Sequence, residues 1–382
     1  MIFFIFGLLV GYLSWGYFLE MTLLSLSLFL VYLLVNKRIN LFLFALGYYL
    51  TVSRGLLFGV EQFYHHWGYA LLSWGGIALL SSLSWILLWS LSFKKRSYFF
   101  PFVLLLVILP PFGLISGANP LPTIALLFPK LGFLSLLLEI IFLYIIAYYW
   151  RRYQESYKKV MIMFFFLFSI MLIPFSLKHT LSDSPNIGTI NSHLKYQPIS
   201  FDKSEEYQRI KTFFYLVQKD KNLMTLLPEN ALGNYSDIQS MVWSRLDANR
   251  TIFAGATIYN AYYTKSINVL MELEHNQSKI LYKQRVPAPI EMWKPFSHRG
   301  TEATLYEQPV VMMSDKKSGV FICYEQLLVY PYLQTFFYHP DMLIGISNLH
   351  WAKGTNIKEV QRETMQLWSL LFDVSLNFSV NE

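Results

Sequence analysis

The chain has 382 residues, 54% of them hydrophobic, 18% aromatic and only 14% charged, with a net charge of +7. A soluble domain carries roughly a quarter charged residues, so this composition excludes a single water-soluble globule. The positive charge lies in short clusters and forms no stripe suited to a nucleic-acid duplex, and the lone cysteine, Cys323, excludes an internal disulfide.

Residues 1–177 are dominated by Leu, Phe, Ile and aromatics. A membrane-spanning helix needs about 20 mostly apolar residues, and the runs 17–35, 41–58, 69–92, 99–116, 131–150 and 160–177 qualify as candidates. A shorter run, 2–13, closes at Ser14-Trp15-Gly16 and reads as a first helix paired in a hairpin with 17–35. The expectation is therefore about seven spans. The N-terminus has no basic start and no convincing cleavage site, which marks it as a retained membrane segment.

Orientation follows from the basic clusters. Lys37-Arg38, Lys94-Lys95-Arg96 and Arg151-Arg152 with Lys158-Lys159 follow alternate spans. All therefore lie on one side, which the positive-inside rule makes cytoplasmic. One further crossing places residues 183–382 on the outer side. The outer segment from Pro110-Pro111 to Pro120-Leu121-Pro122 is rich in helix breakers. It reads either as a simple connection or as a lip guiding lipid, with Trp67, Phe112 and Phe128 as floor residues or as members of an interfacial aromatic belt.

The main division falls near Asp183–Pro185. It separates a polytopic transmembrane domain, 1–182, from a globular domain, 183–382. The globular half alternates strands and helices. Strands are expected at Ile187–Ile190, Leu223–Leu227, Thr251–Tyr259, Ser266–Leu273, Lys279–Tyr282, Gly319–Ile322 and Met342–Ser347. Helices are expected at Ser204–Lys219, Ile238–Asn249 and Ile357–Leu371.

Glu229, Lys283 and Cys323 each follow an apolar strand, and active groups gather where the strands of an α/β sheet end. A thiol is nucleophilic only as thiolate, a carboxylate can take its proton, and an ammonium favours the thiolate and the oxyanion formed on an attacked carbonyl. Taken singly, each residue has a plainer reading. Cys323 would be a small buried hydrophobe, Glu229 a charge at a helix N-terminus, and Lys283 a solvated strand end. The joint pattern favours chemistry.

The segments Leu226-Leu227-Pro228-Glu229-Asn230-Ala231, Tyr282-Lys283-Gln284-Arg285-Val286-Pro287 and Val320-Phe321-Ile322-Cys323-Tyr324-Glu325 resemble the three catalytic motifs of the nitrilase, or carbon–nitrogen hydrolase, superfamily. With the apolar N-terminal half, the chain resembles membrane apolipoprotein N-acyltransferases. Glu291 stands at the distance from Lys283 where those enzymes keep a second glutamate. Tyr324-Glu325 and Ile346-Ser347-Asn348-Leu349-His350-Trp351 are also similar to theirs. Two departures stand out. Val286-Pro287-Ala288-Pro289-Ile290-Glu291 replaces the family's Val-Pro-Phe-Gly-Glu, and no closing span is expected after Phe372–Phe378. In these departures, and in Ser53-Arg54-Gly55, the chain is similar to the plasmid conjugal-transfer TraB branch.

The resemblance implies a membrane α-helical bundle followed by an α/β nitrilase-type αββα sandwich. It implies ping-pong transfer, without cofactor or metal, of an acyl group from phospholipid to a lipoprotein or other protein amine. Glu229 would be the base, Lys283 the oxyanion holder and Cys323 the nucleophile, supported by Glu291, Tyr324, Glu325, Asn348 and Trp351. The alternatives are an amidase acting on an envelope or pilus substrate, and a non-catalytic scaffold among conjugation-machinery proteins.

Overall fold

The computed structural model describes residues 1–115, 117–152, 187–194, 203–235, 237–245, 247, 249–262 and 264–382. The expected span 160–177 and Lys158-Lys159 lie outside them, as do the residues joining the two halves. The chain divides into two compact units. One comprises Met1–Leu181, Leu327–Tyr330 and Gly354–Asp373, and the other Ser182–Gln326, Pro331–Lys353 and Val374–Glu382.

The first unit is helical. Its helices are α1 (Ile2–Ser14), α2 (Ser27–Leu34), α3 (Arg38–Val52), α4 (Arg54–Tyr64), α5 (Trp67–Ile86), α6 (Phe93–Ile108) and α7 (Phe133–Arg152). Among the described residues, α5 and α7 are long and apolar enough to cross a membrane, and α3 with α4 qualifies as a third span bent by 48°. Among the described residues, the expected span 99–116 ends earlier, with α6 at Ile108, and the expected first run 2–13 forms α1. At 1.5 Å per residue, the 13 residues of α1 reach only about 20 Å against a hydrocarbon core of about 30 Å. The run 17–35 splits into a 3-10 segment, Leu19–Leu26, and α2.

Helices α1 and α3 meet through glycines. A Cβ on Gly7 would lie 2.1 Å from the Phe44 carbonyl oxygen, and one on Gly47 2.4 Å from that of Phe4. Only hydrogen fits there, a form of close helix packing common in membranes. The breaker-rich segment after Pro110 forms 3-10 turns at Phe112–Leu114 and Leu121–Leu126, and every residue of the second turn is buried. A further helix of this unit, Ile357–Phe372, comes late in the chain. Glu363 Oε2 accepts the Gly16 N–H at 2.8 Å, Asn356 Nδ2 donates to the Val52 carbonyl at 3.1 Å, and Lys130 pairs with Asp373 at 2.9 Å.

The second unit is a two-sheet sandwich. Its strands are β1 (Ile187–Thr189), β2 (Met224–Leu226), β3 (Thr251–Tyr259), β4 (Lys265–Glu274), β5 (Gln277–Lys283), β6 (Gly300–Thr301), β7 (Val310–Met313), β8 (Lys316–Ile322), β9 (Met342–Asn348) and β10 (Ser375–Asn381). One sheet runs β1-β2-β3-β4-β5, with β6 beside β4, and the other β10-β9-β8-β7. Strands β10, β9 and β8 are mutually parallel. Every residue of β9 is buried, as a central strand covered on both faces requires.

Between the sheets, Leu226, Phe253, Leu270 and Tyr282 pack against Val320, Ile322, Ile344 and Ile346. Outside the first sheet lie α8 (Lys203–Lys219) and α9 (Asp237–Trp243), with Phe213, Val217 and Trp243 joining Ala254, Ala256 and Met271. Outside the second lies α10 (Val329–Phe336), whose Tyr332 stacks on Phe321 with ring centroids 4.1 Å apart. The layers therefore run αββα. Helix α9 is shorter than the expected Ile238–Asn249, while β7, α10 and β10 carry no counterpart in the expected elements.

Candidate active site

Strand β8 ends at Ile322, and the chain turns sharply at Cys323, whose φ is +50°. A non-glycine residue in that region costs about 1–2 kcal/mol. The turn is held by Glu325, which reaches back to accept the Ile322 N–H at 2.8 Å. The same fully buried carboxylate accepts the Arg285 N–H at 2.7 Å, the Val286 N–H at 3.1 Å and the Tyr282 hydroxyl at 2.9 Å. Arg285, also fully buried, lies 3.8 Å from it. Burial pushes the Glu325 carboxyl up, and Arg285 and these donors pull it the other way. Glu325 thus pins the exit of β5 to the exit of β8.

Glu229 follows β2 on the loop Leu227-Pro228-Glu229 and is 5% exposed. It is hydrogen-bonded to the Cys323 thiol, and its Oε2 accepts the Asn348 N–H at 2.9 Å. Burial pushes its carboxyl up to about 7; the Asn348 N–H and the thiol oppose the rise, and Glu325 adds to it. Close backbone approach makes this loop possible, because a Cβ on Gly255 would sit 2.5 Å from the Glu229 Cα.

Lys283 is the last residue of β5, half-exposed, with its Nζ 3.9 Å from Glu307 Oε1. Glu307 stands on a turn fastened to the residues after Lys283. Thr304 donates its N–H to the Arg285 carbonyl and its hydroxyl to the Gln284 carbonyl, each at 3.0 Å. Glu291, the carboxylate expected beside the lysine, is exposed on the loop between β5 and β6. Glu307 carries no motif that singles it out; only the fold brings it to the lysine.

Of the other residues read from the sequence, Asn348 ends β9 and holds Glu229 through its backbone, while its Oδ1 accepts from Asn381 Nδ2 at 2.8 Å. Trp351 donates Nε1–H to the Asn348 carbonyl at 3.0 Å. Tyr324 follows the cysteine, and burial pushes its hydroxyl above the ordinary tyrosine value. The structure thus brings Glu229, Cys323 and the Asn348 amide together, and places Lys283 beside Glu307.

No family model matches the chain. A protein of Sinorhizobium fredii named "Probable conjugal transfer protein TraB" is 28% identical over 98% of this chain and 96% of its own length. The chain's near-full-length similarity is to TraB proteins. A conjugal transfer protein TraB of Agrobacterium fabrum is 27% identical over 85% of this chain and 79% of its own. Among solved structures, an amidase from Nesterenkonia sp. superposes with a TM-score of 0.38 at 8% identity, over 54% of this chain and 80% of that one.

Proposed function

We propose that the chain is a membrane-bound acyltransferase of the nitrilase type, serving conjugal transfer as the names of its relatives suggest. The observation that carries this reading is the hydrogen bond between the Glu229 carboxylate and the Cys323 thiol, at a positive-φ turn that presents the thiol at a strand end. Its placement on an inner membrane, with the sandwich in the periplasm, rests on the alternation of basic clusters.

In this reading Glu229 takes the Cys323 proton, and the thiolate attacks an ester carbonyl of a phospholipid. Lys283 faces the oxyanion. As the tetrahedral species collapses, Glu229 returns the proton to the departing lysolipid alkoxide and a thioester remains. An amine then attacks the thioester and loses a proton to Glu229. The C–S bond breaks, the amide product leaves, and the thiol is restored. A carboxylate with a pKa near 7 suits this exchange, because it gains and loses a proton near the working pH.

The test is intact-mass analysis of the full chain in native lipid. An acyl adduct is expected on wild type, absent from Cys323→Ala and, at most, slow to form on Cys323→Ser. Hydrolysis of a soluble amide, with no adduct from lipid at any time, would replace transfer by amidase chemistry.

A further inference from the structure

We propose that Asn268 and Gln284 are positioning residues that hold the base Glu229 in register with the nucleophile Cys323. The inference rests on the reading of those two as base and nucleophile. Asn268 lies on β4 and is 3% exposed; Gln284 directly follows β5 and is 1% exposed. Gln284 Nε2 donates to the Ile322 carbonyl at 2.9 Å, the group immediately before the nucleophile. Asn268 Nδ2 donates to Gln284 Oε1 at 3.0 Å and to Glu229 Oε1 at 3.4 Å.

The direction of every bond follows from one end. A backbone carbonyl can only accept, so Gln284 must present its NH₂ to Ile322 and its oxygen to Asn268. Asn268 must then present its own NH₂ to that oxygen, which also aims it at the carboxylate. The Asn268 Oδ1 correspondingly faces the Thr257 hydroxyl at 3.0 Å. The relay crosses β3, β4 and β5 and ends on β8, in the opposite sheet. It therefore fixes a separation that no single strand pairing sets. It also favours the ionised form of Glu229, because an N–H that donates to a carboxylate stabilises its charge. Glu325 fixes the backbone exits of β5 and β8 independently and leaves Glu229 to this relay and to Asn348.

The experiment uses the full-length protein in native lipid and follows alkylation of Cys323 by iodoacetamide across pH; as the single cysteine, it reports without background. Asn268→Asp keeps the oxygen facing Thr257 and replaces the donor with a second carboxylate. It should move the midpoint of the rate profile up by about one unit, slowing alkylation at pH 7 by up to about tenfold. Gln284→Met keeps the length, loses the amide and should shift the midpoint in the same direction by less. A merely structural role would lower the melting temperature and leave the midpoint where it is in wild type. Unshifted midpoints in both variants therefore overturn the proposal. If Asn268→Asp does not fold, Asn268→Ser, which removes the donor and adds no charge, is judged by the same midpoint. Glu229→Gln separates the two levels of inference. If it leaves the profile unchanged, the base assignment fails and the relay with it. If it abolishes the transition while the Asn268 and Gln284 variants do not shift it, the relay alone fails.

Discussion

The backbone N–H of Asn348, the last residue of β9, donates to Glu229 Oε2 at 2.9 Å, so a carboxylate that follows a strand of one sheet is held by a strand end of the other. Glu229 therefore depends on the sandwich being closed, and its protonation is tied to folding.

That tie has a definite sign. Burial raises Glu229 from 4.5 to about 7, so the folded protein binds this proton more tightly than the unfolded chain. Stability contributed by the site is present at low pH and is lost as pH rises from the unfolded value through the folded one, by about 3 kcal/mol at most. Glu229→Gln, neutral throughout, should melt near wild type at pH 5 and above it at pH 8. A melting-temperature difference that does not widen with pH counts against a raised pKa.

Glu325 should matter most to stability. Its removal strands the Arg285 and Val286 N–H groups and leaves the fully buried Arg285 without its carboxylate. Breaking a buried pair by deleting one partner costs about 3–5 kcal/mol. Glu325→Ala should therefore be strongly destabilised in chemical denaturation, and a change under 1 kcal/mol would contradict the pinning role.

The Lys283–Glu307 pair should behave oppositely. Its side chains are 41% and 46% exposed, and such pairs contribute only about 0–1 kcal/mol. Lys283→Ala should leave the melting temperature almost unchanged yet slow alkylation of Cys323, since it removes a cation that favours thiolate. Glu307→Gln should alter that alkylation rate more than Glu291→Gln. The reverse order would favour Glu291 as the carboxylate that acts with the lysine.

Gly255 offers a steric test. Alanine there would drive its Cβ to 2.5 Å from the Glu229 Cα and 2.9 Å from the Pro228 carbonyl oxygen, both backbone atoms that cannot swing aside. Gly255→Ala should lower the melting temperature and slow Cys323 alkylation together. Wild-type reactivity would mean the Glu229 loop is not held where it lies.

Topology is checked with an impermeant maleimide on intact cells. In a Cys323→Ala background, Ser278→Cys, on exposed β5, should be labelled from outside, and Asn36→Cys, beside Lys37-Arg38, should be labelled only after lysis. Swapped accessibility would invert the orientation.

The αββα strands that carry reactive groups were legible because they are short, apolar and closed by a distinctive residue; β3 matches its expected bounds, Thr251–Tyr259, at both ends. Strand β10 was hidden by its alternating polar residues, of which Asn377, Ser379 and Asn381 are all buried, and nothing local announces that. The apolar runs 17–35 and 41–58 each hid a break in the helix. Hydropathy registers composition, whereas the break between α3 and α4 and the 3-10 segment at Leu19–Leu26 are backbone events. At the site, charged and thiol groups drew attention, and the neutral amides of Asn268 and Gln284 did not. The signal available for Gln284 was its place next to Lys283.

The chain passes from one compact unit to the other after Leu181, Gln326, Tyr330, Lys353 and Asp373. A protein assembled as an anchor plus a cargo domain would pass once. Here the stretch that includes Glu363 and its bond to the Gly16 N–H is encoded between β9 and β10, so cutting the gene near codon 182 removes the partners of that helix as well as the apolar helices. Neither half is a cassette. A graft of the sandwich alone would leave behind Gly16, α3 and the Lys130–Gly132 stretch, the groups that bond to the chain between Asn356 and Leu371.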